Sequence, residues 1–547
     1  MKGGSEPDVG RNATYPNCSA LYMSHIFAVK GGKMAKEIGS ISNLIACFMV
    51  FCLLIFGQVL TAAAAVPERG GTVTMGVDLE FRGFDALKAR FLGIGDRSVI
   101  MAVEERLFDM DAKGKLIPEL ALSAKSSKDN KSWTIALRKG VFFHDGTPFN
   151  ADAVVEHWQR LLDPNNHFLG LPFLEPIQSV QKIDNFTVKF TLKHTWPTFK
   201  NTICSPVGIL SYIPSPKAVR EGTQDRAPVG TGPFIFKEWK TNDRLVVVRN
   251  PKYWQKGKPY LDSVTFRPMP DMQARFASLQ SGETDVIRTD RGNSILQAHE
   301  DKSLKVYKSD AGGAYPFVFN TAKPPMNDVR VRQALAHAFN QELLVKLVYK
   351  DTIPIAKDPF GNMLSCGDTG YREYNPDKAR KLLAQYGKPV ELELLHTTTP
   401  RGKEAGEIIQ RLYKEVGVTV RLLPVTEGQM SKRVMESDFQ FSGWRFMDFG
   451  DMGPFLKNIL HSGSPLNYMK YSNPKMDELL DRQNTTLDPA VRKKALCEVA
   501  KLVNEDAIFF YGGGLRFHII AKTSLQGIFG ADHGIVKVSD VWVKGKK

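Results

Sequence analysis

The sequence predicts an α/β protein, on three observations. Short runs of alternating polarity recur along most of the chain. Between them stand amphipathic runs whose apolar residues are spaced by three and four. No self-similar period of about 20 to 50 residues is visible, which argues against a solenoid. A period of two buries one face of a strand, whereas three-and-four spacing gives a helix one apolar stripe. Strands that alternate with helices build a layered sheet.

The first alternating run is Gly71–Val77 (GTVTMGV). Trp133–Arg138 (WTIALR) alternates again, and Val141-Phe142-Phe143 follows a Lys139-Gly140 turn. Thr187–Leu192 (TVKFTL) and Leu245–Arg249 are further strands. Asp271–Ser281 fits a helix, with Phe276 and Leu279 apolar and Gly282 as its stop. Val329–Tyr349 reads as one longer helical stretch through Val331, Ala334, Leu335, Ala338 and Phe339. Glu404–Val416 is a helix carrying Ile408, Ile409, Leu412 and Val416, and Val418–Leu423 resumes as a strand. Two glycine clusters, Gly312-Gly313 and Gly512-Gly513-Gly514, each separate strand-like runs. Glycine permits large backbone rotations, so these are either ordinary turns or interdomain hinges.

A chain of 547 residues can bury two or three cores. Its 43% hydrophobic and 24% charged content is that of a soluble globular protein. The formal net charge is +15, which suits anionic partners. Lys and Arg are not clustered with interleaved aromatics, so no nucleic-acid partner is expected. The G-x-S-x-G, H-E-x-x-H and G-x-x-x-x-G-K-[ST] patterns of common enzymes are missing. No C-x-x-C pair exists, so a structural zinc site is not expected. His337 lies on an apolar helix face and reads as a core histidine. The expectation is therefore a binding protein without a cofactor or metal, not an enzyme.

Leu44–Gly57 (LIACFMVFCLLIFG) holds fourteen residues without a charge. Lys33 and Lys36 precede it, and Thr61–Val66 (TAAAAV) offers small-residue cleavage near Ala64 or Ala65. The apolar block is short for a span of about 20 residues. A signal peptide over 34–65 and a periplasmic mature chain are expected, with a retained anchor as the alternative. Residues 1–33 read as an irregular leader, which makes Met34, or else Met23, the expected start. Six cysteines are present, and only Cys204, Cys366 and Cys497 lie beyond this region. Three thiols allow one disulfide and leave one over. Cys497 sits in a helical apolar pattern and reads as buried; a Cys204–Cys366 bridge stays open.

Three stretches carry a resemblance. The first is Ser132–Val154, SWTIALRKGVFFHDGTPFNADAV. The second is Gly230–Ile287, with GTGPFIF, RNPKYW, KPYLDSVTFRPMPD and LQSGETDVI. The third is NDVRVRQALAHAFN (Asn327–Asn340) with YSNPKMDELL (Tyr471–Leu480). Together they resemble the extracytoplasmic solute-binding proteins of the peptide/nickel class of ABC importers, bacterial solute-binding protein family 5. Locally these motifs describe scaffold. His144-Asp145-Gly146-Thr147 supplies turn chemistry. Asn150 caps a helix starting near Ala151. Gly230 and Gly232 permit positive φ. Ser472 or Asn473 caps a helix whose first residue is Pro474.

The resemblance implies a two-lobed periplasmic-binding-protein fold, with an extra domain inserted in the first lobe and a hinge between the lobes. The first lobe would combine 66–97, 226–311 and 510–547, the extra domain 98–225, and the second lobe 312–509. Gly312, Gly313, Gly512 and Gly513 then fall at the lobe crossings. It also implies a monomer that captures a small, peptide-like solute and hands it to ABC permease subunits. A nickel chelate, an opine or another small solute, a chemosensory role and, last, a periplasmic enzyme are the alternatives. Peptide-binding members place an aspartate against the ligand amine, and Asp448 is the best match, Asp451 the second. If Asp448 meets a buried ammonium, Asp448→Ala should weaken binding by roughly 3–5 kcal/mol; otherwise it caps the following helix. Arg401 and Arg445 are candidates for an anionic group, Trp444 for the cleft wall, and Phe84 and Asp85 for the loop after the first strand.

Overall fold

The alternation at Val73, Met75 and Val77 forms a strand, β1 (Thr72–Val77), that buries all three side chains. The computed structural model describes residues 66–88, 94–110, 115–205, 209–446, 451–528 and 534–545. The leader, the expected signal peptide, Met34 and Asp448 lie outside the described residues. No helix among the described residues is long and apolar enough to cross a membrane.

The first lobe adds β2 (Phe234–Lys240), β3 (Arg244–Arg249), β4 (Ser263–Pro268) and β5 (Val286–Thr289) to β1. β1 runs parallel to both β4 and β5. The chain then passes to the second lobe along β6 (Leu304–Phe319), builds β7 (Val390–Thr397), β8 (Val418–Val425) and β9 (Phe441–Gly443), and returns along β10 (Phe509–Lys522). Among the described residues these make one ten-stranded sheet in the order β8-β7-β9-β6-β10-β5-β1-β4-β3-β2. β6 and β10 pair antiparallel from Leu304↔Lys522 to Val318↔Phe509. One end of this long ribbon joins β5 and the other joins β9. The two lobes are therefore halves of one sheet, bridged by a two-stranded ribbon.

Both glycine clusters lie within the ribbon, between its pairing with β5 and its pairing with β9. The pairing is irregular between Asp310 and Ala314 and again before Pro316. Gly313 has φ +103° and Gly513 φ +153°, backbone that L side chains rarely adopt. A Cβ on Gly513 would also come within 2.5 Å of Ile353 Cδ1.

Between β1 and β2 the chain builds a separate four-stranded antiparallel sheet, ordered Ala121–Ser126, Ser132–Leu137, Thr187–Leu192, Ile177–Asp184. Helix Ala151–Leu162 buries Val154, Trp158 and Leu161 against it. Asn150 caps that helix by accepting from the amides of Asp152 and Ala153, at 3.0 and 3.2 Å. The apolar side chains of this region form one continuous cluster with those of β1, β3 and β4. The second lobe has two clusters. Tyr315, Phe317 and Phe319 of β6 enter one, while Ala314 and Val318 enter the other, as strand alternation requires.

The structure corrects four expectations. The stretch 329–349 is two helices, Val329–Ala338 and Gln341–Val348, because Phe339 turns extended and Asn340 caps the second helix. Gly230 and Gly232 do not adopt positive φ; they allow close approach. A Cβ on Gly230 would lie 2.1 Å from the Val103 carbonyl oxygen, and one on Gly232 2.6 Å from it. Among the described residues a disulfide joins Cys366 to Cys497, across 131 residues, and Cys204 is a buried free thiol. Helix Met452–Leu460 is capped by Asp451, whose carboxylate accepts from the Gly453 amide at 2.8 Å.

Candidate functional site

The residues that follow the parallel strands converge. Leu79 and Arg82 come after β1, Asp290 after β5, Arg401 after β7, Glu427 after β8, and Trp444 and Arg445 after β9. In α/β sheets the carboxyl ends of strands are where ligand crevices open. Here Leu79, Arg82, Arg401, Glu427, Trp444 and Arg445 line a cavity of about 550 Å³, with walls from both halves of the sheet and from Leu169 and Phe173 of the segment between β1 and β2. That volume lies within the range of small-molecule sites, about 300–1,000 Å³. Its surface is largely apolar, through Leu79, Phe317, Tyr349, Leu394, Phe455 and Tyr468.

Arginines dominate its polar part. Arg401 stands at the start of helix Pro400–Lys414, which Thr399 caps. It forms an ion pair with Asp290 of the first lobe, and its guanidinium lies 5.9 Å from the Tyr315 ring centroid. Arg288 of β5 pairs with Asp78. Burial, and then the facing charge of Arg445, push the Arg288 guanidinium down to about 9. The same two causes push Arg401 down to about 10. Glu427 opposes both shifts. Next to Arg401–Asp290, Arg291 binds Glu404 bidentately at 2.8 and 2.9 Å, again between lobes.

Of the residues expected from sequence, Arg401, Trp444 and Arg445 line the cavity. Trp444 packs edge-on against Tyr468, with centroids 5.8 Å apart. Three others are used elsewhere. Both Asp451 oxygens are held by Arg492, at 2.7 and 2.8 Å. Asp85 is buried in a bidentate pair with Arg160, at 2.8 Å for each bond. Burial raises its carboxyl, but Arg160, the Leu87 amide and Lys88 together outweigh this and hold it below its ordinary value. Phe84 is buried against Trp239, with centroids 6.0 Å apart. Leu79 and Arg82 take the places in that loop that Phe84 and Asp85 were expected to fill. Of the lining residues, Arg82, Tyr315 and Glu427 were not expected from sequence. The signal that could have found them is position: all but Tyr315 lie at or just beyond the end of a parallel strand.

Comparison with known proteins accords with this geometry. Residues 115–467 match the family described as bacterial extracellular solute-binding proteins, family 5 Middle. Heme-binding protein A of Haemophilus influenzae is 31% identical over 424 residues, 71% of this chain and 77% of that protein. Probable di/tripeptide-binding protein 5 of Pseudomonas aeruginosa is 28% identical over 499 residues, 85% of this chain and 94% of that protein. Among solved structures, the ABC transporter-associated periplasmic binding protein DppA of Helicobacter pylori, in complex with peptide STSA, superposes with a TM-score of 0.80. It is 21% identical, and the match covers 87% of this chain and 99% of that one. The chain belongs to the bacterial extracellular solute-binding proteins of family 5, and its two-lobed α/β fold is that of substrate-binding proteins rather than enzymes.

Proposed function

We propose that the chain captures a peptide-like solute outside the cytoplasm and presents it, enclosed, to the permease subunits of an ABC importer. The observation that carries this reading is the cavity whose walls come from both lobes. A solute there touches both lobes only when they are closed, so it stabilises the closed form over the open one and shifts the population. The names of the relatives, a di/tripeptide-binding protein and a structure holding a peptide, support the solute class. Proteins of this family deliver ligand to ABC permeases.

The reading includes an exported, monomeric mature chain, the lobe boundaries 66–97 with 226–311 and 510–547, 98–225, and 312–509, and a hinge at Gly312, Gly313, Gly512 and Gly513. The positive φ of Gly313 and Gly513 supports the hinge. The Cys366–Cys497 disulfide supports export, because disulfides persist in oxidising compartments. Native mass spectrometry of the purified protein tests the function. One small solute per chain, released on denaturation and rebound in calorimetry, is the expected result. A chain that binds no peptide or other small solute would refute it.

A further inference from the structure

Three consecutive residues that follow β5 in the first lobe meet the second lobe. Asp290 pairs with Arg401 and Arg291 with Glu404. Gly292 opens helix Gly292–Glu300 and lies against the backbone of Tyr349, which follows helix Gln341–Val348 between β6 and β7. A Cβ on Gly292 would stand 2.3 Å from the Tyr349 carbonyl oxygen, 2.5 Å from the carbonyl carbon and 2.8 Å from Lys350 Cβ. Gly292 does not adopt positive φ, so its own backbone would accept an L side chain. Close approach, not conformation, is what calls for glycine here.

The surface that Gly292 meets is held firmly. The Tyr349 carbonyl accepts from the Thr352 amide at 3.1 Å and from the Thr352 hydroxyl at 2.5 Å. Lys350 and Asp351 stand at φ +52° and +59°, the left-handed region that residues other than glycine adopt rarely. Such backbone persists where its surroundings hold it, and it gathers at clamps and switch regions. This turn is fastened to the ribbon. Arg516 Nη1 donates to the Thr352 carbonyl at 3.3 Å, and the Gly514 amide donates to the Pro354 carbonyl at 2.7 Å. The Tyr349 ring lines the cavity and stacks on Tyr315, with centroids 5.9 Å apart.

On the reading that the lobes close over a solute, we propose that Gly292 is the seat on which the second lobe comes to rest, and so a positioning residue for capture. The ion pairs of its two neighbours act through side chains that can swing. The contact at Gly292 is backbone on backbone and fixes where closing stops. A methyl group there forces the two backbones apart by roughly 1 Å to restore ordinary contact. The contact lies beside the ribbon, so this wedge opens the far rim of the cleft by more than its own width.

The test sets Gly292→Ala and Gly292→Val beside wild type, with di- and tripeptides as probes. The open form lacks this contact, so circular dichroism and the melting temperature of the unliganded variants should match wild type. Small-angle scattering should show that peptide compacts wild type and leaves both variants more extended. Calorimetry should show peptide affinity falling by roughly tenfold in Gly292→Ala, as the closed form becomes rarer, and further in Gly292→Val. Adding Lys350→Gly to Gly292→Ala frees the turn to yield and should recover part of the affinity. Wild-type affinity and compaction in both variants overturn the proposal. A lower melting temperature of the unliganded variants also overturns it, because the contact then belongs to the fold and not to closure. Both results leave the cavity as the solute site. A wild-type protein that no peptide binds or compacts counts against peptide capture itself, and the seat falls with it.

Discussion

His157 shows how a single buried side chain links this fold to pH. It is 5% exposed, and its Nε2–H donates to the Leu210 carbonyl at 2.8 Å. Burial pushes the imidazole down to about 4; the Leu210 hydrogen bond and Asp85 oppose this, and Arg160 adds to it. The folded protein thus keeps His157 neutral at pH values where the unfolded chain, with a value near 6.5, takes up a proton. Its contribution is full above pH 6.5 and is lost as the pH falls towards 4, by up to roughly 3 kcal/mol. Urea denaturation should show wild type losing roughly 2 kcal/mol more than His157→Gln between about pH 7 and 5. Equal losses would show that His157 titrates normally. The same scale explains which site residues the sequence revealed. Arg401, Trp444 and Arg445 were legible because they sit in recognisable stretches close to strand ends. Asp85 and Asp451 misled because their partners, Arg160 and Arg492, are 75 and 41 residues away. A carboxylate in a loop looks free until its distant arginine is known.

Most elements were legible because their signals are local. The strand Thr187–Leu192 and the helix Met272–Ser281, with Asp271 and Gly282 at its ends, fall where alternation and capping chemistry place them. What was hidden depends on contacts between elements. Gly230 looked like a turn residue, yet its backbone needs no positive φ, and the nearby Val103 carbonyl explains the glycine. Gly230→Ala is conformationally allowed but must displace backbone. Thermal denaturation should show a loss of about 1–3 kcal/mol or more, the usual range for overpacking. A neutral result would mean that the segment Ala102–Glu104 yields at little cost. The disulfide was likewise invisible. It joins a loop to helix Pro489–Glu505, and three thiols offer three pairings to a reader of sequence. Closing a long loop restricts the unfolded chain, so Cys366→Ser/Cys497→Ser should cost roughly 2–5 kcal/mol. Dithiothreitol should destabilise wild type and leave the double variant unchanged; a further drop in the variant would point to Cys204.

At the scale of the whole molecule, the two lobes meet through charge as well as through their shared ribbon. Consecutive residues of the first lobe, Asp290 and Arg291, face Arg401 and Glu404 on the first turns of one second-lobe helix. The order of charges is reversed between the two sides, so each residue finds its opposite only in one register of closure. These partners are 111 and 113 residues apart in sequence, which is why no reading of the chain alone could pair them. Arg291 is 14% exposed and Glu404 39% exposed, so water screens the pair and its value is about 1 kcal/mol or less. Removing it by Glu404→Gln should lower the closed-to-open ratio of the unliganded protein by up to about fivefold. Small-angle scattering would show this as a larger radius of gyration, and added salt should move wild type towards the variant. Glu404→Gln should also weaken solute affinity by no more than the same factor, because a latch that favours closure adds equally to every solute. If affinity changed for acidic solutes and not for neutral ones, Glu404 would be acting on the electrostatics of the cavity and not on the closing of the lobes.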